Sequence, residues 1–163
     1  MATVISHVDK ILLRATSNDG IYLHGCNIFW RGQTNVLFLN GIADGVDKIY
    51  DLMKKDARVL MPSPSYPTHT SNEGKRGDYP HLQFRLDPEQ GWLPDLEEIE
   101  NKVRYNPQVV AIALVNPDNP TGAVYPRKTL EGIVAIARRY GLFVICDEIY
   151  CNKIGRASCR ERV

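Results

Sequence analysis

From residue 36 onward, short apolar runs alternate with amphipathic stretches. "NVLFL" reads as a buried strand and "NG" closes it. In "IADGVDKIYDLM", Ile42, Val46, Ile49 and Met53 recur at helical spacing. "ARVLM" is a second short strand, ended by the proline-rich corner "PSPSYP", and "HLQFRL" alternates like a strand with one solvated face. "LPDLEEIENKV" starts a helix, with Asp95 as its cap, Glu98 three positions on to complete a capping box, and Leu96, Ile99 and Val103 as the inner stripe. "VVAIALV" is apolar on both faces. "PRKTLEGIVAIARRYG" is a helix with Pro126 near its start, Gly141 past its end, and Leu130, Ile133, Val134 and Ala137 facing inward. "LFVIC" is again apolar on both faces. Strand, helix and strand in this order predict a β-α-β unit. Strands buried on both faces predict an α/β fold, with a mainly parallel sheet and helices on both faces. Upstream, "ISHVDKILLRA" predicts a short helix with Ile5, Val8, Ile11 and Leu12 on one side, broken by "SNDG".

A chain of 163 residues suffices for one domain with a core. The net charge of +1 gives no electrostatic basis for a nucleic-acid or membrane partner. No apolar run approaches the ~20 residues of a spanning helix. "MATVISHVDK" lacks the charged and apolar regions of a secretory signal. Cys26, Cys146, Cys151 and Cys159 show no C-x-x-C spacing and no nearby histidine pair. Free thiols in a reducing, cytoplasmic setting are therefore expected, and no metal site. His7, His24, His69 and His81 are scattered and receive no role.

In open parallel sheets, ligands bind beyond the carboxyl ends of the strands. Asn40 and Gly41, then Ser63, Ser65 and Tyr66, then Asn116, Asn119 and Thr121, then Asp147, Glu148 and Tyr150 follow four separate strand ends. Each has a plainer reading. Asp147 caps a helix or faces solvent, Asn40-Gly41 is a turn, and Tyr66 is a packed tyrosine. A buried, unpaired Asp147 carboxylate costs several kcal/mol, so it needs a donor, a cation or water.

Taken together, "NGIADGV", "VLMPSPSYP", "LDPEQGWLPDLEEIE", "NPDNPTGAVY" and "DEIY" resemble, in order, segments of the pyridoxal-phosphate-dependent class I (fold type I) aminotransferases, alanine aminotransferase branch. The resemblance covers about residues 36 to 154 and implies part of the large domain of that fold. It leaves 1–35 poorly matched and implies that 155–163, "GRASCRERV", is an artefactual tail. It implies pyridoxal 5′-phosphate as cofactor. Asp147 would pair with the protonated pyridine nitrogen, Tyr150 and Asn119 with the ring's phenolic oxygen, and Tyr66 would stack on the ring. The backbone amides of Gly41, Ile42 and Ala43 would hold the phosphate. A serine or threonine often stands where this chain has Ala43.

The same resemblance implies transfer of an amino group from an amino acid, alanine, to 2-oxoglutarate by a ping-pong route, in a homodimeric parent enzyme. The family's Schiff-base lysine is expected beyond Val163, since neither Lys128 nor Lys153 stands at its position. The chain alone is therefore expected to be an inactive fragment. A carbon–sulfur lyase of the same fold would use nearly the same cofactor contacts, and a catalytically silent fragment is the other alternative. A magnesium-nucleotide reading of "LFVICDE" requires a G-x-x-x-x-G-K-[ST] loop, which the chain lacks, and leaves "NPDNPTG" unexplained.

Overall fold

The strand Val109–Val115, buried along nearly its whole length, lies near the middle of an eight-stranded sheet. The computed structural model describes residues 42–75 and 82–150 in full, and the backbone of strands at 10–18, 21–30 and 33–38. The elements are β1 (Lys10–Asn18), β2 (Ile21–Trp30), β3 (Gln33–Phe38), α1 (Ile42–Asp51), β4 (Arg58–Ser63) and α2 (Pro67–Gly74). They continue with β5 (Gln83–Asp87), β6 (Leu93–Pro94), α3 (Leu96–Arg104), β7 (Val109–Val115), α4 (Arg127–Tyr140) and β8 (Phe143–Asp147). The strand order is β3-β2-β1-β8-β7-β4-β5-β6. β1, β8, β7, β4 and β5 are successively parallel. β2 pairs antiparallel with both β1 and β3, and β6 antiparallel with β5.

Strand alternation divides the core into two layers, one on each side of the sheet. Ile112 and Leu114 of β7, Val144 and Cys146 of β8, and Leu60 of β4 face α3 and α4, where Ile99, Val103, Ile133, Ile136 and Ala137 meet them. Ala111, Ala113, Ile145, Val59 and Met61 face the other way, onto Val46, Ile49 and Tyr50 of α1. Helices thus cover both faces of a mainly parallel sheet, as the apolar runs predict. Gly132 of α4 faces α3, and a methyl group added there would collide with the Leu96 side chain.

Several local readings need correction. Lys10–Asn18 is a strand, so the helix expected over "ISHVDKILLRA" fails from residue 10 onward; its first residues lie outside the described residues. Ile11 and Leu12 suit a strand between two partners, and the pairings with β2 and β8 outweigh helical spacing. The capping box is only half made. Asp95 accepts from Glu97 N–H at 2.9 Å, but Glu98 accepts from Arg85 N–H on β5 at 3.1 Å rather than reaching back to its own helix. On α4 the inner stripe is Leu130, Ile133, Ile136 and Ala137; Val134 is half-buried at its margin. Segment 155–163 lies outside the described residues.

Candidate functional site

Parallel strands deliver their carboxyl ends to one edge. β4, β7 and β8 therefore end together at Ser63, Val115 and Asp147, and β3 runs the same way through its two antiparallel pairings. A cleft of about 270 Å³ opens there. Its walls are Ile42 and Ala43 at the start of α1, Tyr66 and Thr68 entering α2, Val115 and Asn119 from the end of β7, and Asp147, Ile149 and Tyr150 from the end of β8. The structure thus gathers Ile42, Ala43, Tyr66, Asn119, Asp147 and Tyr150 around one space, while Gly41 and Asn40 lie outside the described residues. Among the described residues no lysine lines the cleft, and Lys128 is exposed in the first turn of α4. A larger depression of about 490 Å³ runs along α3 past Asp95, Glu97, Glu98 and Lys102. It is a charged helix flank away from the strand ends.

Asp147 is only 4% exposed. Its Oδ1 accepts from Ile149 N–H at 3.0 Å. Its Oδ2 lies 3.7 Å from Nε2 of His69, which is 1% exposed. Neither ring nitrogen of His69 has a hydrogen-bond partner among the described residues. A buried carboxylate with one amide donor and a neighbouring imidazole is incompletely compensated. A cationic N–H donor arriving in the cleft beside it would complete the set. His69 is the residue that sequence reading missed. The available signal was spacing: it follows Tyr66 by three positions at a helix start, which places two side chains on one side.

On the opposite wall, Asn119 Nδ2 donates to Tyr150 Oη at 3.0 Å, joining the ends of β7 and β8. Tyr66 is 47% exposed, so one side of its ring is available to a flat ligand. Thr121, expected near this edge, turns its hydroxyl instead to Asp118 Oδ2, at 2.5 Å. Asn116 turns its Oδ1 to Tyr125 N–H, at 2.9 Å, and so braces the corner rather than lining the cleft.

Burial pushes the Asp118 carboxyl above its ordinary 3.8, against the opposing pull of its hydrogen bonds from Thr121. Burial also raises the Tyr125 phenol, and the nearby Asp118 and Cys146 add to that, so Tyr125 stays neutral. Between the ordinary and the raised value, folded Asp118 holds a proton that the unfolded chain has released. Its contribution to stability is full below the ordinary value and is lost as pH rises through the raised one. Asp118→Asn is expected to remove that decline, measured as urea midpoints across mildly acidic pH.

The comparisons with known proteins follow this geometry. The family model for aminotransferase class I and II matches residues 22–156. An uncharacterised aminotransferase of Methanocaldococcus jannaschii is 50% identical over 120 residues, covering 74% of this chain and 28% of that protein. Among solved structures, the alanine aminotransferase from Pyrococcus furiosus is similar with a TM-score of 0.60 and 36% identity, over 67% of this chain and 27% of that one. The PLP-bound C–S lyase from Staphylococcus hominis gives a TM-score of 0.62 at 25% identity, over 69% of this chain and 29% of that one. The chain therefore spans little more than a quarter of the length of the proteins it matches.

Proposed function

The chain belongs to the class I and II aminotransferase family, and on that footing we propose that its cleft holds pyridoxal 5′-phosphate in an enzyme that moves the amino group of alanine to 2-oxoglutarate. The observation that supports this most is the convergence of Asp147, Asn119, Tyr150 and Tyr66, from three strand ends, on one ring-sized space. When bound, the cofactor supplies an electron sink for the carbanion formed at the amino acid's α-carbon.

The chain's own residues prepare that site. The Asp147 carboxylate would pair with the pyridine nitrogen and hold a proton there, because a nearby negative charge favours the protonated ring. His69 lies against Asp147 on the protein side, with Nε2 3.7 Å from Oδ2. Asn119 and Tyr150 present a paired amide and hydroxyl to the ring oxygen. Tyr66 would cover one ring face and keep water from it. The start of α1, at Ile42 and Ala43, would offer backbone N–H groups to the phosphate, and Gly41 precedes them in sequence. No hydroxyl is available at Ala43 to add to them. Residues 36–154 form the cofactor-binding part of a larger domain in this reading. The lysine that carries the cofactor belongs to a later strand end, and the whole enzyme is a cytoplasmic homodimer.

A carbon–sulfur lyase is the second reading, since such an enzyme matches this fold with a TM-score of 0.62. The higher identity to the alanine aminotransferase, 36% against 25%, favours the transaminase.

The chain itself allows a direct test. Pyridoxal phosphate titrated into it is expected to acquire a saturable induced circular dichroism, because an achiral ring becomes dichroic only in an ordered site. Pyridoxamine 5′-phosphate, which lacks the aldehyde and cannot react with surface lysines, is expected to displace it. Absence of a saturable signal, or a signal that pyridoxamine phosphate leaves untouched, refutes the reading.

A further inference from the structure

The cofactor reading leaves Asp118 without a task, although its carboxylate is carried on a residue only 4% exposed. Its hydrogen bonds to the described residues all run into one turn. Oδ2 accepts from Thr121 N–H at 3.2 Å and from Thr121 Oγ1–H at 2.5 Å. Thr121 Oγ1 in turn accepts from Ala123 N–H at 3.2 Å. The Asp118 backbone N–H donates to Ala123 O at 2.8 Å, and its carbonyl accepts from Gly122 N–H at 3.1 Å. Gly122, at φ +75°, supplies the left-handed residue that lets this ring close. The next side chain along is Asn119. It leaves the turn for the cleft, where it donates to Tyr150.

We propose that Asp118 is a positioning residue: its carboxylate locks the 118–123 turn and thereby aims the Asn119 amide at Tyr150 and the cofactor's ring oxygen. Only the last link, to the ring, rests on the cofactor reading above. The amide-to-hydroxyl link belongs to the protein alone. Hydrogen bonds arranged in series, from Ala123 through Thr121 to Asp118, reinforce one another and resist small rotations of the turn. Asn119 has no other side-chain hydrogen bond among those the described residues show, so the turn sets its direction.

The test reads the Asn119 side-chain amide protons by NMR in the cofactor-free chain. In the wild type their shifts are expected to differ from those of an exposed asparagine. Asp118→Ala is expected to move them to the exposed position, as Tyr150→Phe does. Asp118→Asn is expected to keep them in place, because its carbonyl still accepts from Thr121. Should Asp118→Ala fail to fold, Thr121→Val, which removes one donor to the carboxylate, is expected to move the same signals part of the way. Titration with pyridoxamine 5′-phosphate gives the second readout. Loss of one well-aimed hydrogen bond weakens binding by about two- to tenfold in Asp118→Ala, with Asp118→Asn close to wild type. Unchanged Asn119 signals in Asp118→Ala or Thr121→Val overturn the proposal. No response to pyridoxamine phosphate in the wild type overturns the cofactor reading alone, and the amide signals still decide the role of Asp118.

Discussion

Asp147→Asn is expected to weaken binding of pyridoxal phosphate to this chain by about ten- to a hundredfold while leaving the cofactor-free fold as stable as before, or more so. Both effects follow from one buried charge. The asparagine keeps a carbonyl for Ile149 N–H, the amide bonded to Asp147 Oδ1 at 3.0 Å. It removes a carboxylate from a site 4% exposed, where the other ionisable neighbour among the described residues is the His69 ring at 3.7 Å. Relief of an incompletely paired buried charge is neutral or stabilising. With the cofactor present the balance reverses. A charge-assisted hydrogen bond contributes about 1.5–3 kcal/mol, and each ~1.4 kcal/mol is tenfold in affinity.

The opposite signs separate function from structure. A residue that only caps the turn at Ile149 would leave both stability and binding nearly unchanged in Asp147→Asn, because the asparagine carbonyl still accepts from that amide. Two measurements suffice: urea unfolding of the cofactor-free chain, and titration followed by induced dichroism. Equal affinities for wild type and variant would remove Asp147 from the site and, with it, the main support for the proposed cofactor contacts.

Sequence reading went furthest where one chain segment determines its own structure. The β7–α4–β8 unit was legible because two seven- and five-residue apolar runs flank one amphipathic helix bounded by Pro126 and Gly141. The gathering of polar residues at strand ends was legible because parallel strands share a direction. What the sequence hid depends on partners distant in the chain. Lys10–Asn18 became a strand because β2 and β8 take its backbone groups, and its local spacing carries no trace of them. Glu98 carries the capping-box signature, yet β5 lies close enough to claim it. Ile136 and Val134 flank the same helical stripe, and the approach of α4 to the sheet decides which of them is covered. The spacing of His69 from Tyr66 puts it near the site, but its approach to Asp147 depends on how α2 packs against the end of β8.

Arg58→Met is expected to cost about 3–5 kcal/mol, because it strands a buried carboxylate. Arg58 opens β4 and its Nε donates to Oε1 of Glu73, in the last turn of α2. The Glu73 side chain is 0% exposed and the Arg58 side chain 14%, so removing the arginine leaves the more deeply buried ion alone. Glu73 Oε2 also accepts from Val59 N–H at 3.2 Å, which fixes the carboxylate in place and prevents it from turning to water. Such a loss is a large fraction of the ~5–15 kcal/mol that holds a domain together. Glu73→Gln is expected to cost less. Its carbonyl still serves Val59, and Arg58 retains some contact with solvent. The double variant Arg58→Met/Glu73→Gln, with no charge left to strand, is expected to recover most of the loss. Urea unfolding of the four proteins closes the cycle. The pair ties the end of α2 to β4, and α2 carries Thr68, which lines the cleft, and His69, which is buried beside Asp147. Partial unfolding of Arg58→Met should therefore begin at α2, with loss of hydrogen-exchange protection there before β7 and β8. A cost below about 1 kcal/mol for Arg58→Met would show that Glu73 finds water or another partner, and that the pair does not hold α2 in place.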